Sequence, residues 1–449
     1  MDGGPTCSGV GRKSNQPIFN GLPEHKTQNV SFMQTFKPRI AHVVTTFFPG
    51  MAWARTFSLA EDQRHQGWQV EFLTGCEASP IFIQEQRERG FPVTQIPSLR
   101  KYIHPSQDTK ALIKLLHLFR CKKFDVVHTH LAKAGIIGRL AAGLSGVPHI
   151  LHTVYGPTFA PTLVAPKRFI YWALEKMVGK LTHKFIFVGH ELRSQYLRAG
   201  ICTHQNSQVI YGGRNLTPFI EAASIPEAAR WAGRQALGLE PQIGLIGYVA
   251  RLVPSKGHEF AIRAFHQVKS RLGGAKMIFV GEARLPSEQA FKKKLIELIN
   301  NLELQNEIIF TGWVDNPAYY YGLFDMFIFP SLYEGLPGAV IEAAAADLPV
   351  VGFDCGGVRE ILDNNMTLVP VRDVKGLAAV LEREMANLET RRRLRGRRVS
   401  YLNDLKKTFS ISRMVEETRK LYQGLEAGQG TESVCPLLPR TLPGTPPFL

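Results

Sequence analysis

Two glutamates and two basic residues in the second half of the chain have the types and spacing of a site for sugar hydroxyls and a diphosphate. Glu334 and Glu342 are eight positions apart in PSLYEGLPGAVIEAAAADLPVVGFDCGGVREIL, which begins at Pro330. Carboxylates accept hydrogen bonds from hydroxyl groups such as those of sugars and ribose. Upstream, Arg251 and Lys256 are five positions apart in YVARLVPSKGHEF, and two such cations suit a diphosphate.

A helix start is predicted between the two glutamates, at the loop Gly335-Leu336-Pro337-Gly338. Unpaired backbone N–H groups and the positive end of the helix dipole favour a phosphate at such a start. The spacing predicts that Glu342 lies about two turns into this helix. The alternative is a capped helix with a surface glutamate, together with two solvated loop cations.

Strand and helix signals alternate along most of the chain. Short apolar runs such as RIAHVVTTF and FDVVHTH lie in the first half, and IGLIGYVAR, MFIFPS and PVVGF lie in the second. This rhythm is typical of βαβ units with a parallel sheet. We therefore predict an α/β protein with two doubly wound, Rossmann-like domains that face each other across a cleft.

The predicted organisation follows from composition and pattern. Residues 1–36 and 427–449 are rich in Gly, Pro and polar residues, and we expect them to be disordered tails. Between the tails we predict a first domain at 37–212, a linker at 213–240, a second domain at 241–408 and a helix at 409–426 that packs on either domain. In doubly wound sheets ligands bind beyond the carboxyl ends of the strands, so the chemistry belongs in strand-end loops.

Charge and cysteine content narrow the setting of the protein. The net charge of +16 favours a polyanionic partner, and residues 391–407 alone hold eight basic residues against Asp404. That run is either a solvated helix face or a patch for an anionic membrane surface. Six scattered cysteines favour a reducing compartment, and no stretch is apolar enough for a transmembrane helix. We expect a cytoplasmic location, free or peripheral on the inner face of a membrane.

The motifs resemble one large family. The run from Gly247 to Glu360 is similar to the donor domain of retaining glycosyltransferases of the GT-B architecture, family 4. The segment DVVHTHLAKAGIIGRLAAGLSGVPHILHTVYG resembles the acceptor domain of bacterial members that build envelope polysaccharides. The resemblance covers roughly residues 38–425, and its most specific element is the Glu-x7-Glu spacing. It implies a hexosyltransferase that uses a nucleotide sugar, UDP first and GDP next, as co-substrate without a further cofactor.

Roles for single residues follow from this resemblance. Arg251 and Lys256 would hold the donor diphosphate, Glu334 would bind the transferred sugar, and Glu342 the ribose. Gly356, Gly357 and Glu360 would form a turn that shapes the pocket. The remaining donor-binding positions that the resemblance implies are Gly50, Gly247, Val314, Gly335, Leu336, Gly338 and Ala339.

Two departures from the family pattern stand in the first domain. Family members usually place a His near the transferred sugar where this chain has Tyr155, which is neutral at pH 7 but can donate a hydrogen bond. The glycine-rich first loop is reduced to Phe48-Pro49-Gly50-Met51. We count Tyr155 among the catalytic candidates, and its presence leaves open a weakly active or non-catalytic sugar-nucleotide binding protein.

His128, His130, Lys133 and His152 are the acceptor-side candidates. His128 and His130 alternate along one strand and so share a face, and together with His152 they permit a metal site as an alternative to a polar strand end at the acceptor cleft. No carboxylate partner stands nearby, and the chain has no D-x-D motif, so we predict no metal and assign the diphosphate to cationic side chains.

The predicted partners are a nucleotide-sugar donor and a saccharide acceptor, free or linked to a polyprenyl diphosphate. A nucleotide-sugar 2-epimerase shares the architecture, and an assay without acceptor would distinguish it. The net charge alone would permit a nucleic-acid binder, but the basic run has no interleaved aromatic pattern, so we expect no nucleic acid.

Overall fold

Two parallel β-sheets form the framework of the described chain. The structure is a computed structural model, and it describes residues 37–47, 51–160, 163–240, 243–361, 366–388, 390, 392, 395–396 and 398–426. The predicted tails and Gly50 lie outside these residues. We call the part built on the seven-stranded sheet the first domain and the part built on the six-stranded sheet the second domain.

The first sheet has the order β3-β2-β1-β4-β5-β6-β7, and its neighbouring strands pair in parallel. Its strands are β1 Arg39–Phe47, β2 Gln69–Ala78, β3 Val93–Gln95, β4 Val126–His130, β5 His149–Val154, β6 Lys184–Phe187 and β7 Ser207–Val209.

The second sheet has the order β10-β9-β8-β11-β12-β13 and is also parallel. Its strands are β8 Leu245–Val249, β9 Lys276–Val280, β10 Ile308–Gly312, β11 Met326–Phe329, β12 Val350–Phe353 and β13 Met366–Val369.

Helices connect the strands of both sheets. They are α1 Met51–His65, α2 Pro80–Glu88, α3 Pro105–Lys122, α4 Ala132–Leu144, α5 Ala165–Gly179, α6 His190–Arg198, α7 Thr217–Ala223, α8 Glu227–Gln235, α9 His258–Val268, α10 Pro286–Asn301, α11 Pro317–Leu323, α12 Gly338–Ala345, α13 Val374–Ala386, α14 Val399–Thr408 and α15 Ile411–Glu426. Short 3₁₀ helices lie at Pro254–Lys256, Lys269–Arg271 and Gly356–Glu360.

The strand orders confirm the predicted fold class of two doubly wound domains. In each sheet the order reverses beside the first strand, between β1 and β4 and between β8 and β11. Ligands bind at such switch points. Central strands such as β11, MFIF, are buried along their whole length because helices cover both faces. The sequence did not predict strands β3, β7 and β13, which are each three or four residues long.

The last helix lies against the first domain. Arg419 of α15 pairs with Asp62 of α1, and the ring of Tyr422 lies 5.2 Å from that of Trp68. Just before α15, the Phe409 carbonyl accepts a hydrogen bond from the backbone N–H of Arg214 at 2.8 Å. The chain therefore passes between the domains at two neighbouring segments, around Arg214 and around Ser410.

Among the residues of the basic run that the structure describes, three arginines have partners within the fold. Arg392 donates two hydrogen bonds of 2.8 Å to Asp325, and Arg398 pairs with Asp347. Arg395 donates to the carbonyls of Tyr321, Gly322, Phe324 and Ala346, which end helices α11 and α12. The prediction of a solvated face or membrane patch is therefore wrong for these arginines, since the fold uses them as internal counter-charges and helix caps.

Asp325 is the centre of this buried charge cluster. Its carboxylate pairs with Arg230, Arg234 and Arg392 and accepts the backbone N–H of Leu245 at 2.8 Å. Burial acts to raise its pKa, but the three arginines outweigh burial and hold the pKa at about 2. The carboxylate thus stays charged in the folded protein and ties α8, β8 and the segment around Arg392 together.

We predict that Asp325→Asn lowers the free energy of unfolding by about 3–5 kcal/mol, because it leaves buried arginines unpaired. Urea unfolding at pH 7 measures this, with Glu382→Gln, which breaks an exposed pair with Arg271, as the control. Because the folded pKa lies below the ordinary one, the contribution is present at neutral pH and is lost as the pH falls from about 4 towards 2. Equal effects of the two substitutions would contradict this account.

Candidate active site

Lys256 and Glu334 meet at the switch point of the second sheet. The 3₁₀ helix Pro254–Lys256 follows β8, and Glu334 follows β11 in the loop that leads to α12. Lys256 Nζ donates a hydrogen bond to Glu334 Oε1, which also accepts one from Ser331 Oγ at 3.0 Å. A cation and a carboxylate thus lie side by side at the strand ends, 78 positions apart in sequence.

Glu342 is held from two directions. Tyr321 OH donates to Glu342 Oε2 at 2.9 Å, and Arg214 Nη1 pairs with Glu342 Oε1. Because α12 begins at Gly338, Glu342 lies one turn into the helix, and the predicted two turns are wrong. The Ala339 carbonyl lies 3.1 Å from the same hydroxyl and shares its single proton with Glu342.

The other donor-side candidates divide into exposed and buried residues. Arg251 is exposed over 64% of its side chain and lies 3.3 Å from Glu288 Oε1, so it can reorient. Val314 is half-buried after β10, and the Arg284 guanidinium lies 3.8 Å above the ring of its neighbour Trp313. Leu336 is buried in the core of the second domain.

Gly247 lies inside β8 rather than at its end. A Cβ atom at this position would come within 2.2 Å of the ring of Phe324. The absence of a side chain therefore makes room for the aromatic ring of Phe324, so Gly247 has a packing role, and its donor-binding role stays a prediction.

Backbone contact joins the two domains at Gly335. A Cβ atom there would lie 2.1 Å from the carbonyl oxygen of Tyr155 at the end of β5. Gly356 is at φ +55°, and a Cβ there would lie 2.1 Å from the Glu334 carbonyl. Only glycine permits both approaches, so the loop that carries Glu334 lies directly on the strand end that carries Tyr155.

A second contact between the domains involves Glu360. Its two carboxylate oxygens accept the backbone N–H groups of His190 at 2.7 Å and Glu191 at 2.9 Å. These are the first residues of α6, where N–H groups lack partners within the helix and the dipole favours an anion. Glu360 therefore caps a helix of the first domain from the second domain.

A chain of buried hydrogen bonds ends at Tyr155. Gln63 Oε1 lies 2.8 Å from His42 Nε2, His42 Nδ1 lies 3.0 Å from His130 Nε2, and His130 Nδ1 lies 3.2 Å from Tyr155 OH. With the Gln63 oxygen facing His42, each ring donates from Nε2 and accepts at Nδ1. Tyr155 then donates its proton to His130, and Thr56 Oγ1 lies 3.5 Å from the same hydroxyl.

The acceptor-side histidines are interior residues. His128 is fully buried between Tyr422 OH at 2.6 Å and Thr153 Oγ1 at 2.7 Å, and His152 packs beside Thr129. Burial lowers the pKa of each of these histidines well below its ordinary value. The predicted polar strand end at the cleft is therefore wrong for His128 and His152.

Lys133 at the start of α4 pairs with Asp108 of α3 at 2.5 Å. The lysine side chain is 9% exposed and the aspartate side chain 22% exposed. The pair joins two helices of the first domain, so Lys133 has a structural partner in the described chain.

His42, His128 and His130 place their ring nitrogens close together, within 4.8 Å of one another, in a group with the spacing of metal ligands. His42 was missed by the sequence prediction, which paired His152 with the other two. All six ring nitrogens have hydrogen-bond partners, so the protein itself accounts for the cluster. Burial lowers the pKa of His42 to about 4 and keeps the ring neutral.

Two arginines at the site were not predicted from the sequence. Arg55 lies in α1, and its guanidinium carbon is 6.0 Å from the ring of Tyr155. Arg214 binds Glu342, a residue 128 positions away, so no local pattern could reveal it. The sequence offers one signal for Arg55, namely that this cation lies near the start of a helix, where acidic residues are the usual choice.

Comparison with known families explains the arrangement. A model described as glycosyl transferases group 1 matches residues 229–397, and a glycosyl transferase 4-like domain matches residues 50–212. The two matches cover the donor-side and acceptor-side halves that the motifs predicted. The chain belongs to the GT-B glycosyltransferases. The resemblance to this family is thereby confirmed.

Individual relatives of this glycosyltransferase agree in architecture. It is 26% identical over 397 residues to the UDP-Gal:alpha-D-GlcNAc-diphosphoundecaprenol alpha-1,3-galactosyltransferase of Escherichia coli, which covers 86% of this chain and 97% of the relative. It is 24% identical to the capsular polysaccharide biosynthesis glycosyltransferase CapM of Staphylococcus aureus, over 70% and 82% of the two chains. The crystal structure of Anabaena HepE with UDP and glucose has a TM-score of 0.69 at 18% identity, over 86% and 99%.

We predict that Gly335→Ala separates the loop of Glu334 from β5, since its Cβ has no room beside the Tyr155 carbonyl. The melting temperature should fall, with a loss of about 1–3 kcal/mol, and the radius of gyration from solution scattering should rise. Gly156→Ala is the matched control, because a Cβ there meets nothing within 4 Å. Similar behaviour of both variants would show that the close approach is unimportant.

Proposed function

We propose that this glycosyltransferase moves a sugar from a UDP-sugar to a saccharide on a polyprenyl diphosphate, with retention at the anomeric carbon, in envelope polysaccharide synthesis. The observation that carries the proposal is the contact of Gly335 with Tyr155, which brings Lys256 and Glu334 to the acceptor-side domain. The names of the relatives support the donor, the acceptor and the pathway, since they include a UDP-galactose enzyme that acts on a diphosphoundecaprenol-linked sugar.

The main requirement of this reaction is to stabilise the negative charge that develops on the leaving diphosphate. Lys256, the exposed Arg251 and the N–H groups at the start of α12 supply positive charge where the diphosphate departs. Glu334 binds hydroxyls of the transferred sugar, and Glu342 binds the ribose. We propose that these cations act without a divalent metal.

Attack by the acceptor takes place on the face of the leaving group. The donor phosphate takes the acceptor proton in this proposal, so no side chain forms a covalent intermediate. Tyr155 orients the acceptor or sugar hydroxyl by accepting its hydrogen bond, since its own proton is held by His130. Contact between the domains excludes water from the reacting atoms.

The decisive experiment supplies UDP-sugars with GlcNAc-diphosphoundecaprenol and follows UDP release and product by mass spectrometry and NMR. We expect acceptor-dependent transfer, an α-linked product and full activity with EDTA. An inverted linkage or a glycosyl-enzyme adduct would overturn the retaining same-face proposal, and epimer formation without acceptor would replace transfer by epimerisation.

Lys256→Met should lower kcat/KM by about 10²–10³, because it removes a cation aimed at the leaving group. Steady-state assays with varied donor measure this loss. Lys420→Met on α15 is the control, since its ammonium is exposed and pairs only locally with Glu416. Unchanged kcat/KM in the Lys256 variant would remove this residue from the mechanism.

The membrane face that we propose is helix α5 rather than the basic run. Among the described residues, every helix is too short or too polar to cross a bilayer. Phe169 is 63% exposed and Met177 47% exposed, and Ile170 projects beside them. Four cations surround these apolar side chains, Lys167, Arg168, Lys176 and Lys180, while Glu175 is buried against Arg139. Such a face suits anionic lipids at the cytoplasmic side, where lipid-linked acceptors would be met.

Phe169→Glu should weaken binding to phosphatidylglycerol-containing vesicles about tenfold or more in flotation assays, because a carboxylate replaces an apolar anchor. Ile81→Glu on α2 is the matched control, as Ile81 is exposed outside this face. Equal binding by both variants would exclude α5 as the docking face, and loss of a dimer on Phe169→Glu would assign it to self-association.

A further inference from the structure

Two arginines beside the cleft are buried with part of their guanidinium groups unpaired. Arg55 and Arg214 are each 7% exposed. In both, Nε and Nη2 are buried and have no hydrogen-bond partner in the described chain. A buried donor without a partner costs about 1–3 kcal/mol, and more when it is charged. A fold that keeps four such donors therefore has a use for them outside its own contacts.

The two guanidinium groups belong to one place in the molecule. A Cβ on Gly212 would lie 2.1 Å from the Arg55 guanidinium carbon, so Arg55 packs on the backbone two residues before Arg214. Arg214 uses Nη1 for Glu342 of the second domain. The cluster thus draws on α1, on the segment between the domains and on α12, beside the ring of Tyr155.

The charges in this cluster do not balance. Arg55 and Arg214 contribute two positive charges, and Glu342 contributes one negative charge. Burial, and next the nearby Arg214, lower the pKa of Arg55 to about 10, so that it is still charged at neutral pH. One buried positive charge is left for an anion from outside the described chain.

The unpaired atoms also indicate the shape of the anion. Nε and Nη2 lie on one edge of a guanidinium and bind two oxygens of one anion in parallel. The Nε/Nη2 edges of Arg55 and Arg214 together can bind about four acceptor oxygens. A carboxylate has two oxygens, whereas a diphosphate has enough for both.

We propose that Arg55 and Arg214 form a second diphosphate-binding subsite, carried by different elements from Arg251 and Lys256. The inference rests on the proposed function for the source of the ligand. That source is either the nucleoside diphosphate of the donor or the diphosphate of the lipid-linked acceptor, which offer the same chemistry. The subsite lies where the two substrates meet, next to Tyr155 and Glu342.

The test is calorimetric titration of the full chain with UDP and, separately, with farnesyl diphosphate. Arg55→Met should weaken binding of one of them about tenfold or more, since it removes a bidentate charged contact. Weaker UDP binding assigns the donor as the source, and weaker farnesyl diphosphate binding assigns the acceptor. Arg64→Met is the control on the same helix, because Arg64 is exposed.

A second readout separates a binding role from a structural one. Without ligand, Arg55→Met should melt at the same temperature as the wild type or higher, because it removes an unbalanced buried charge. If Arg55→Met does not fold, Arg55→Lys keeps the charge but not the bidentate edge, and the same loss of affinity is expected. Wild-type affinity for both ligands in the folded variant overturns the subsite.

The outcome is separable from that of the proposed function. Sugar transfer by the wild type, together with unchanged ligand binding by Arg55→Met, would leave the function standing and remove the subsite. Diphosphate binding that depends on Arg55, together with no sugar transfer by the wild type, would support the subsite and remove the proposed function.

Discussion

The site depends on one close approach between two backbones. Gly335 of the second domain lies against the carbonyl of Tyr155 in the first, with no room for even a Cβ atom between them. Side chains on either side of this contact then fall within one cleft, although they come from distant segments. Glu360 supports the same arrangement by capping α6 across the domain boundary. Position 335 needs glycine because the two backbones are too close for a Cβ atom, and not because the chain must be flexible there.

Several charged side chains of this protein are paired inside the fold. Asp325 gathers three arginines, and Arg395 ends two helices by donating to their last carbonyls. Glu334 and Glu342 are each paired with a cation from another element. These pairs leave the formal charge of +16 unchanged, because both members of each pair are already counted in it, but they decide where in the molecule the charge lies. The cations Lys167, Arg168, Lys176 and Lys180 of α5 are exposed, whereas Arg392, Arg395 and Arg398 of the basic run are paired within the fold.

Sequence reasoning succeeded where the signal was local and failed where it depended on distance. Alternating strand and helix patterns were enough to predict both sheets, because buried parallel strands are apolar throughout. Edge strands β3, β7 and β13 are too short to show such a pattern. Lys256 and Glu334 could be singled out from their strand-end positions, whereas the pairing of Arg214 with Glu342 exists only after folding. Gly247 lies within a motif that points to ligand binding, yet its contact in the fold is with the ring of Phe324.

Arg214 takes part in two structures at once. Its backbone N–H bonds to Phe409 where the chain passes between the domains, and its side chain holds Glu342 in the second domain. A ligand that binds Glu342 and displaces Arg214 would also act on this crossing, and any such coupling is reciprocal. Binding at Glu342 and the arrangement of the two domains would then depend on one residue, which contacts the crossing through its backbone and Glu342 through its side chain.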